Sequence, residues 1–82
     1  MTARPVKRSL TLRGHRTSVS LEEAFWQEFR AIADEKHLSI NELAALVDVE
    51  RGVESGLASA IRVYILREVK ARRTPVSDAP SS

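Results

Sequence analysis

Two stretches near the N-terminus alternate apolar and polar residues with a period of two. Ser9-Leu10-Thr11-Leu12-Arg13 puts Leu10 and Leu12 on one face. Arg16-Thr17-Ser18-Val19-Ser20-Leu21 puts Thr17, Val19 and Leu21 on one face and Arg16, Ser18 and Ser20 on the other. This is the pattern of a half-buried strand, and the second run, with its β-branched residues, is the better one. Gly14 separates the runs, where a turn or bulge fits. The first run is expected either to pair with the second or to be an extended arm.

The period then changes to that of a helix. Ser20-Leu21-Glu22-Glu23 reads as a capping box, followed by Phe25, Trp26, Phe29, Ile32 and Ala33 on one broad face, with an end near Lys36-His37. Ser39-Ile40-Asn41-Glu42 is a second capping box. The short helix it opens carries Ile40, Leu43, Ala44 and Val47 at helical spacing and fades over Asp48 to Gly52, where Gly52 suits a positive φ. A third helix is expected from about Ser55 to Arg72, with Leu57, Ile61, Tyr64, Ile65 and Val69 as its stripe, widened by Ala58, Val63 and Leu66. So wide an apolar surface calls for burial on more than one side. Thr74-Pro75 stops it. The expected organisation is a flexible basic arm over 1–8, one mainly α domain over 9–73, and a disordered tail over 74–82.

A single strand leaves its edge groups unpaired. Pairing with the same strand of a second chain satisfies them and makes a two-stranded antiparallel ribbon on a dyad. Thr17, Val19 and Leu21 then face a shared core, and Arg16, Ser18 and Ser20 face outward. Small size points the same way, because 82 residues without a cysteine have no disulfide to add to a small core. A homodimer is therefore expected.

Charge sharpens the outward face into a candidate site. The net charge is only +2, but residues 1–20 hold five bases and no acid, residues 21–54 hold nine acids against three bases, and residues 55–82 hold five bases against two acids. A basic N-terminal segment suits a polyanion. A two-stranded ribbon fits the DNA major groove, where Arg can bond guanine bidentately and Ser can donate or accept. Arg16, Ser18 and Ser20 are the candidate base readers, Ser20 doubling as the expected cap. The N-terminus of the second helix, at Ser39, Ile40 and Asn41, offers free N–H groups and a positive dipole end to a phosphate. Arg13 and His15 are further phosphate candidates, although a histidine in a turn equally suits a backbone bond. Asn41 fits a first-turn helix residue as well as it fits a phosphate contact.

Taken in order, Arg16 to Leu21, the Phe-Trp-bearing helix and His37-Leu38-Ser39-Ile40-Asn41-Glu42 resemble the ribbon-helix-helix proteins of the MetJ/Arc type. The chain is most similar to a bacterial group carrying a Gly-His-Arg-Thr-Ser run, here Gly14-His15-Arg16-Thr17-Ser18. The resemblance covers about residues 7–72. It implies a homodimeric DNA-binding fold with groove-facing strand residues at Arg16, Ser18 and Ser20 and phosphate anchoring at Ser39 to Asn41. Two features depart from the minimal pattern: the third helix, and the β-like sequence at Leu10 to Arg13.

No nucleophile–base pairing, phosphate loop, metal spacing or membrane-length apolar run is present, so a cytoplasmic protein that is neither an enzyme nor a cofactor carrier is expected. The leading expectation is a transcriptional regulator binding double-stranded DNA as a homodimer, with dimers side by side on repeated half-sites. A protein-interaction or scaffold module that kept the dimer fold without DNA readout is the alternative. An antitoxin ranks third, because the Pro/Ser tail offers little apolar surface.

Overall fold

The computed structural model describes residues 4–51 and 56–73. Its elements run β1 (Val6–Leu12), β2 (His15–Leu21), α1 (Glu23–Glu35), α2 (Ile40–Glu50) and α3 (Leu57–Arg73). This is a two-stranded antiparallel ribbon followed by three helices. The expectations at Gly52, Ser55 and the tail lie outside the described residues.

Both alternating runs are strands, and they pair with each other. The register is Val6↔Leu21, Arg8↔Val19, Leu10↔Thr17 and Leu12↔His15 on the inner side, with Lys7↔Ser20, Ser9↔Ser18 and Thr11↔Arg16 between them. Arg13 at φ 51° and Gly14 at φ 85° make the two-residue connection, and positive φ at both positions is what a type I′ hairpin turn requires. Of the two expectations for the first run, pairing with the second is the one seen, and the described ribbon is a hairpin of one chain. β1 begins at Val6, inside the segment read as an arm.

The hairpin lays one face on the helices. Leu10, Leu12, Val19 and Leu21 are buried against Phe29, Ile32 and Ala33 of α1, Leu43, Ala44 and Val47 of α2, and Ile61 and Ile65 of α3. Thr17 lies on this inner face but stays exposed, near the turn. Phe25 and Trp26 are half-buried against the core, each with a guanidinium over its ring: Arg8 at 5.0 Å from Trp26 and Arg62 at 5.6 Å from Phe25. Phe29 meets Tyr64 edge-on, with centroids 6.2 Å apart and planes at 89°. Burial pushes the Tyr64 hydroxyl pKa up, with Glu68 and Glu50 adding to the effect. Thus α3 completes the core of its own chain, while Val63 and Leu66 remain exposed.

The helix ends divide into one that matches the sequence reading and one that corrects it. At α2 the Ser39 hydroxyl accepts from the Glu42 N–H at 3.0 Å, and the Glu42 carboxylate accepts from the Ser39 N–H at 2.8 Å, a complete capping box. At α1 the N-cap is Glu22, without a side-chain cap bond, and Ser20 belongs to β2. The ladder explains the shift. Leu21 is fully buried and paired with Val6, so the backbone stays extended past Ser20. Glu23, freed from capping, accepts from Gln27 at 2.8 Å and pairs with Arg8.

α1 stops in a Schellman turn. The His37 N–H bonds the Asp34 carbonyl at 3.1 Å and the Leu38 N–H bonds the Ala33 carbonyl at 2.9 Å. His37 takes φ 60° to do so, where glycine pays no steric cost. Replacing His37 by Gly should therefore stabilise the fold by about 0.5–1 kcal/mol, net of the extra chain entropy that glycine brings. Urea denaturation measures this, and an unchanged or lower midpoint would contradict the left-handed turn.

Candidate nucleic-acid interface

The tight hairpin sorts the polar strand residues onto one face. Lys7, Ser9 and Thr11 of β1 and Arg16, Ser18 and Ser20 of β2 are all exposed on the side away from the helices. A two-residue turn makes Leu12 and His15 a hydrogen-bonded pair, so the alternate pairs Thr11–Arg16, Ser9–Ser18 and Lys7–Ser20 are the closely spaced, non-hydrogen-bonded kind. Six side chains thus stand as three close cross-strand couples. The sequence reading found the β2 half. It missed Lys7, Ser9 and Thr11, although the alternation around Leu10 and Leu12 carries the same signal.

That register also aims the backbone groups of these pairs at the two edges of the ribbon. On the β1 edge, the Thr11 N–H donates to Asn41 Oδ1 at 3.0 Å. On the β2 edge, the Ser20 carbonyl accepts from Arg62 Nη2 at 3.4 Å. Asn41 therefore does something neither sequence alternative foresaw: its side chain holds the start of α2 beside β1. Arg62 pins α3 to the other edge and donates to Glu22 Oε1 from Nη2 at 2.8 Å and from Nε at 3.2 Å.

The start of α2 is partly used up by its own cap. Ser39 and Glu42 satisfy each other, and the Leu43 N–H bonds the Ser39 carbonyl at 3.0 Å. The Ile40 and Asn41 N–H groups are the two donors left open there, next to the Glu42 carboxylate. Arg13 and His15 flank the turn tip. Arg13 reaches Asp48 at 3.4 Å, and Asp48 also takes Arg51 Nε at 2.6 Å. His15 sits opposite Leu12, on the helix-facing side of the ribbon rather than with Arg16 and Ser18.

The basic segment is less free than its charge count implies. Arg8 lies on the inner face, paired with Glu23 and over Trp26, with its Nε buried and without a hydrogen-bond partner. Arg13 is engaged with Asp48. Arg4, Lys7 and Arg16 are exposed and form no ion pair among the described residues. Within the N-terminal segment, those three supply the charge available to a polyanion.

The described residues include no cluster of three or more His, Asp or Glu fit to hold a metal, and no helix among them is long and apolar enough to cross a membrane. The model of the ribbon-helix-helix domain family matches residues 5–69, which spans both strands, α1, α2 and most of α3. The chain belongs to this family, a regulatory DNA-binding fold whose members are commonly transcriptional regulators or antitoxins. No curated protein and no solved structure matched the chain significantly.

The ribbon–helix junction carries a pH dependence. The hydrogen bond from Arg62 holds the Glu22 carboxyl below its ordinary value of 4.5, and bonds from Gln27 and then Arg8 lower that of Glu23. A carboxyl with a lowered folded-state pKa leaves the unfolded chain binding more protons as pH falls below 4.5. Its stabilisation is complete above that pH and is lost as the pH drops through the folded-state value. Glu22→Gln should flatten the acid limb of stability against pH and leave the neutral-to-alkaline shape unchanged. Denaturant midpoints across an acid pH series check this, and an unaltered acid limb would remove Glu22 from the account.

Proposed function

We propose that this chain is a cytoplasmic transcriptional regulator that places its own β1–β2 hairpin in the major groove of double-stranded DNA and acts as a homodimer, with dimers side by side on repeated half-sites. The observation that carries the reading is the outward face of the ribbon, where three close couples present two bases and four hydroxyls with no apolar side chain among them. A two-stranded ribbon is one of the few elements the groove admits, and these side chains match its donors and acceptors. Arg16 and Ser18 are the principal base readers. Ser20 joins them, its hydroxyl having no cap to serve. Lys7, Ser9 and Thr11 complete the face from β1. The Ile40 and Asn41 amides at the start of α2, with Ser39 beside them, take a flanking phosphate, and Arg13 and His15 meet the backbone at the ribbon tip.

Binding to genomic fragments across a salt series tests this reading. With Arg4, Lys7 and Arg16 as the free cations of the N-terminal segment and Arg13 exchanging Asp48 for a phosphate, the slope of log affinity against log salt should be about −3 to −4 per protomer. Arg16→Ala should cost about 1–3 kcal/mol of discrimination between operator and non-operator DNA. Lys7→Ala should weaken all sequences alike and reduce the slope by about one. Arg8→Ala should lower stability and leave the slope unchanged. Salt-independent binding, or equal losses from Arg8→Ala and Arg16→Ala, would exclude the outward face as the reading surface.

A further inference from the structure

We infer that Asp48 of α2 is an internal competitor for Arg13, holding this arginine at the hairpin tip until a phosphate of the DNA backbone displaces the carboxylate. The inference deepens the DNA reading proposed above and rests on it for the source of the phosphate. An open hollow of about 510 Å³ lies at the tip, lined in part by Arg13, His15, Arg16, Thr17, Asp48 and Arg51. Asp48 is the one acid in a hollow with three arginines. It serves two of them at once: Arg51 Nε donates to Oδ1 at 2.6 Å, and Arg13 Nη2 donates to Oδ2 at 3.4 Å. Carboxylate and phosphate oxygens offer a guanidinium the same kind of charged acceptor. For Arg13, the carboxylate therefore stands where a phosphate oxygen can replace it.

The two arms of this contact are unequal. The Arg51 bond is short and joins residues three apart at the end of one helix. The Arg13 contact is long and spans 35 positions, and its side chain is 58% exposed against 24% for Asp48. Arg13 spends one N–H on Asp48, and a guanidinium has five. Arg13 is thus the arm that lets go. Arg51 stays and neutralises the carboxylate, which would otherwise repel the arriving phosphate. The turn supports the same assignment. Arg13 holds φ 51°, where Gly, Asn or Asp is the usual choice. What Arg13 adds at this position is its guanidinium. A purely structural tie between turn and α2 makes the opposite forecast, because loss of Asp48 would then loosen the hairpin and weaken binding.

Binding of the full chain to a short mixed-sequence duplex, and separately to inorganic pyrophosphate, tests the exchange, with circular dichroism to confirm that each variant is folded. Asp48→Asn should tighten both by about two- to fivefold, the scale of an exposed ion pair. In an Arg13→Ala background it should bring no gain, which separates release of Arg13 from the mere loss of a negative charge. Asp48→Ser makes the same release with a smaller side chain, so a folding defect in one variant leaves the other to decide. Arg51→Gln should weaken binding in the wild type and have no such effect beside Asp48→Asn. The salt slope on the duplex should not change in Asp48→Asn, because the number of phosphate contacts is the same. Weaker binding by folded Asp48 variants, a gain that persists without Arg13, or pyrophosphate binding indifferent to Asp48 would overturn the inference. Pyrophosphate needs no groove, so if it follows the expected pattern while duplex binding is independent of salt, the exchange stands and the DNA reading falls.

Discussion

Every outward-pointing N–H and C=O of an extended strand needs a partner, and the arrangement of this molecule follows from how two side chains approach the edges of its ribbon. Asn41 accepts from Thr11 on one edge, and Arg62 donates to Ser20 on the other. Each of those residues belongs to a helix. The first bond sets the start of α2 beside β1, and the second draws α3 across the β2–α1 junction, where Glu22 and the Phe25 ring complete its anchorage. The hydrophobic core then fills the space these contacts define, with residues from all five elements. Each of these two contacts meets one backbone group of its edge.

The same geometry divides the positive charge into two uses. Arg8 and Arg16 look alike as sequence, eight residues apart in a basic segment. Strand alternation sends Arg8 inward over Trp26 and Glu23 and leaves Arg16 outward in solvent. An arginine with a half-covered aromatic and a carboxylate acts through packing as well as charge. Net charge therefore overstates what a polyanion would meet, and the position within the pleat decides which cation counts.

Much of this was legible from local pattern. Both alternating runs, the turn at Gly14, the Ser39–Glu42 box, the end of α1 near His37 and the stripe of α3 all follow from period and capping chemistry. Pairing was harder. Asn-Gly or Asp-Gly would have announced a hairpin, but Arg13 at a positive φ carries no such signal. The local pattern therefore leaves the first run open between pairing with the second and lying as an extended arm. Ser20 misled for a related reason: its capping pattern is real, but the Val6–Leu21 rung holds the backbone extended beyond it. The roles of Asn41 and Arg62 depend on residues 30 and 42 positions away, which no local period encodes. Lys7, Ser9 and Thr11 were within reach, since they alternate with the same leucines that defined β1.

The distance along the chain between the ribbon and its cover also sets an order of events. The hairpin precedes the three helices along the chain, and short hairpins form within microseconds. Ile61, Ile65 and Arg62, which close its underside and pin its edge, arrive some forty residues later. Until then Leu10, Leu12, Val19 and Leu21 lie partly uncovered on a nascent chain. The outward face is assembled early, but it becomes rigid only once α3 has emerged. Translation that stops short of α3 would thus leave a chain whose polar surface is present while its apolar underside is bare, a form suited to recognition by chaperones and proteases.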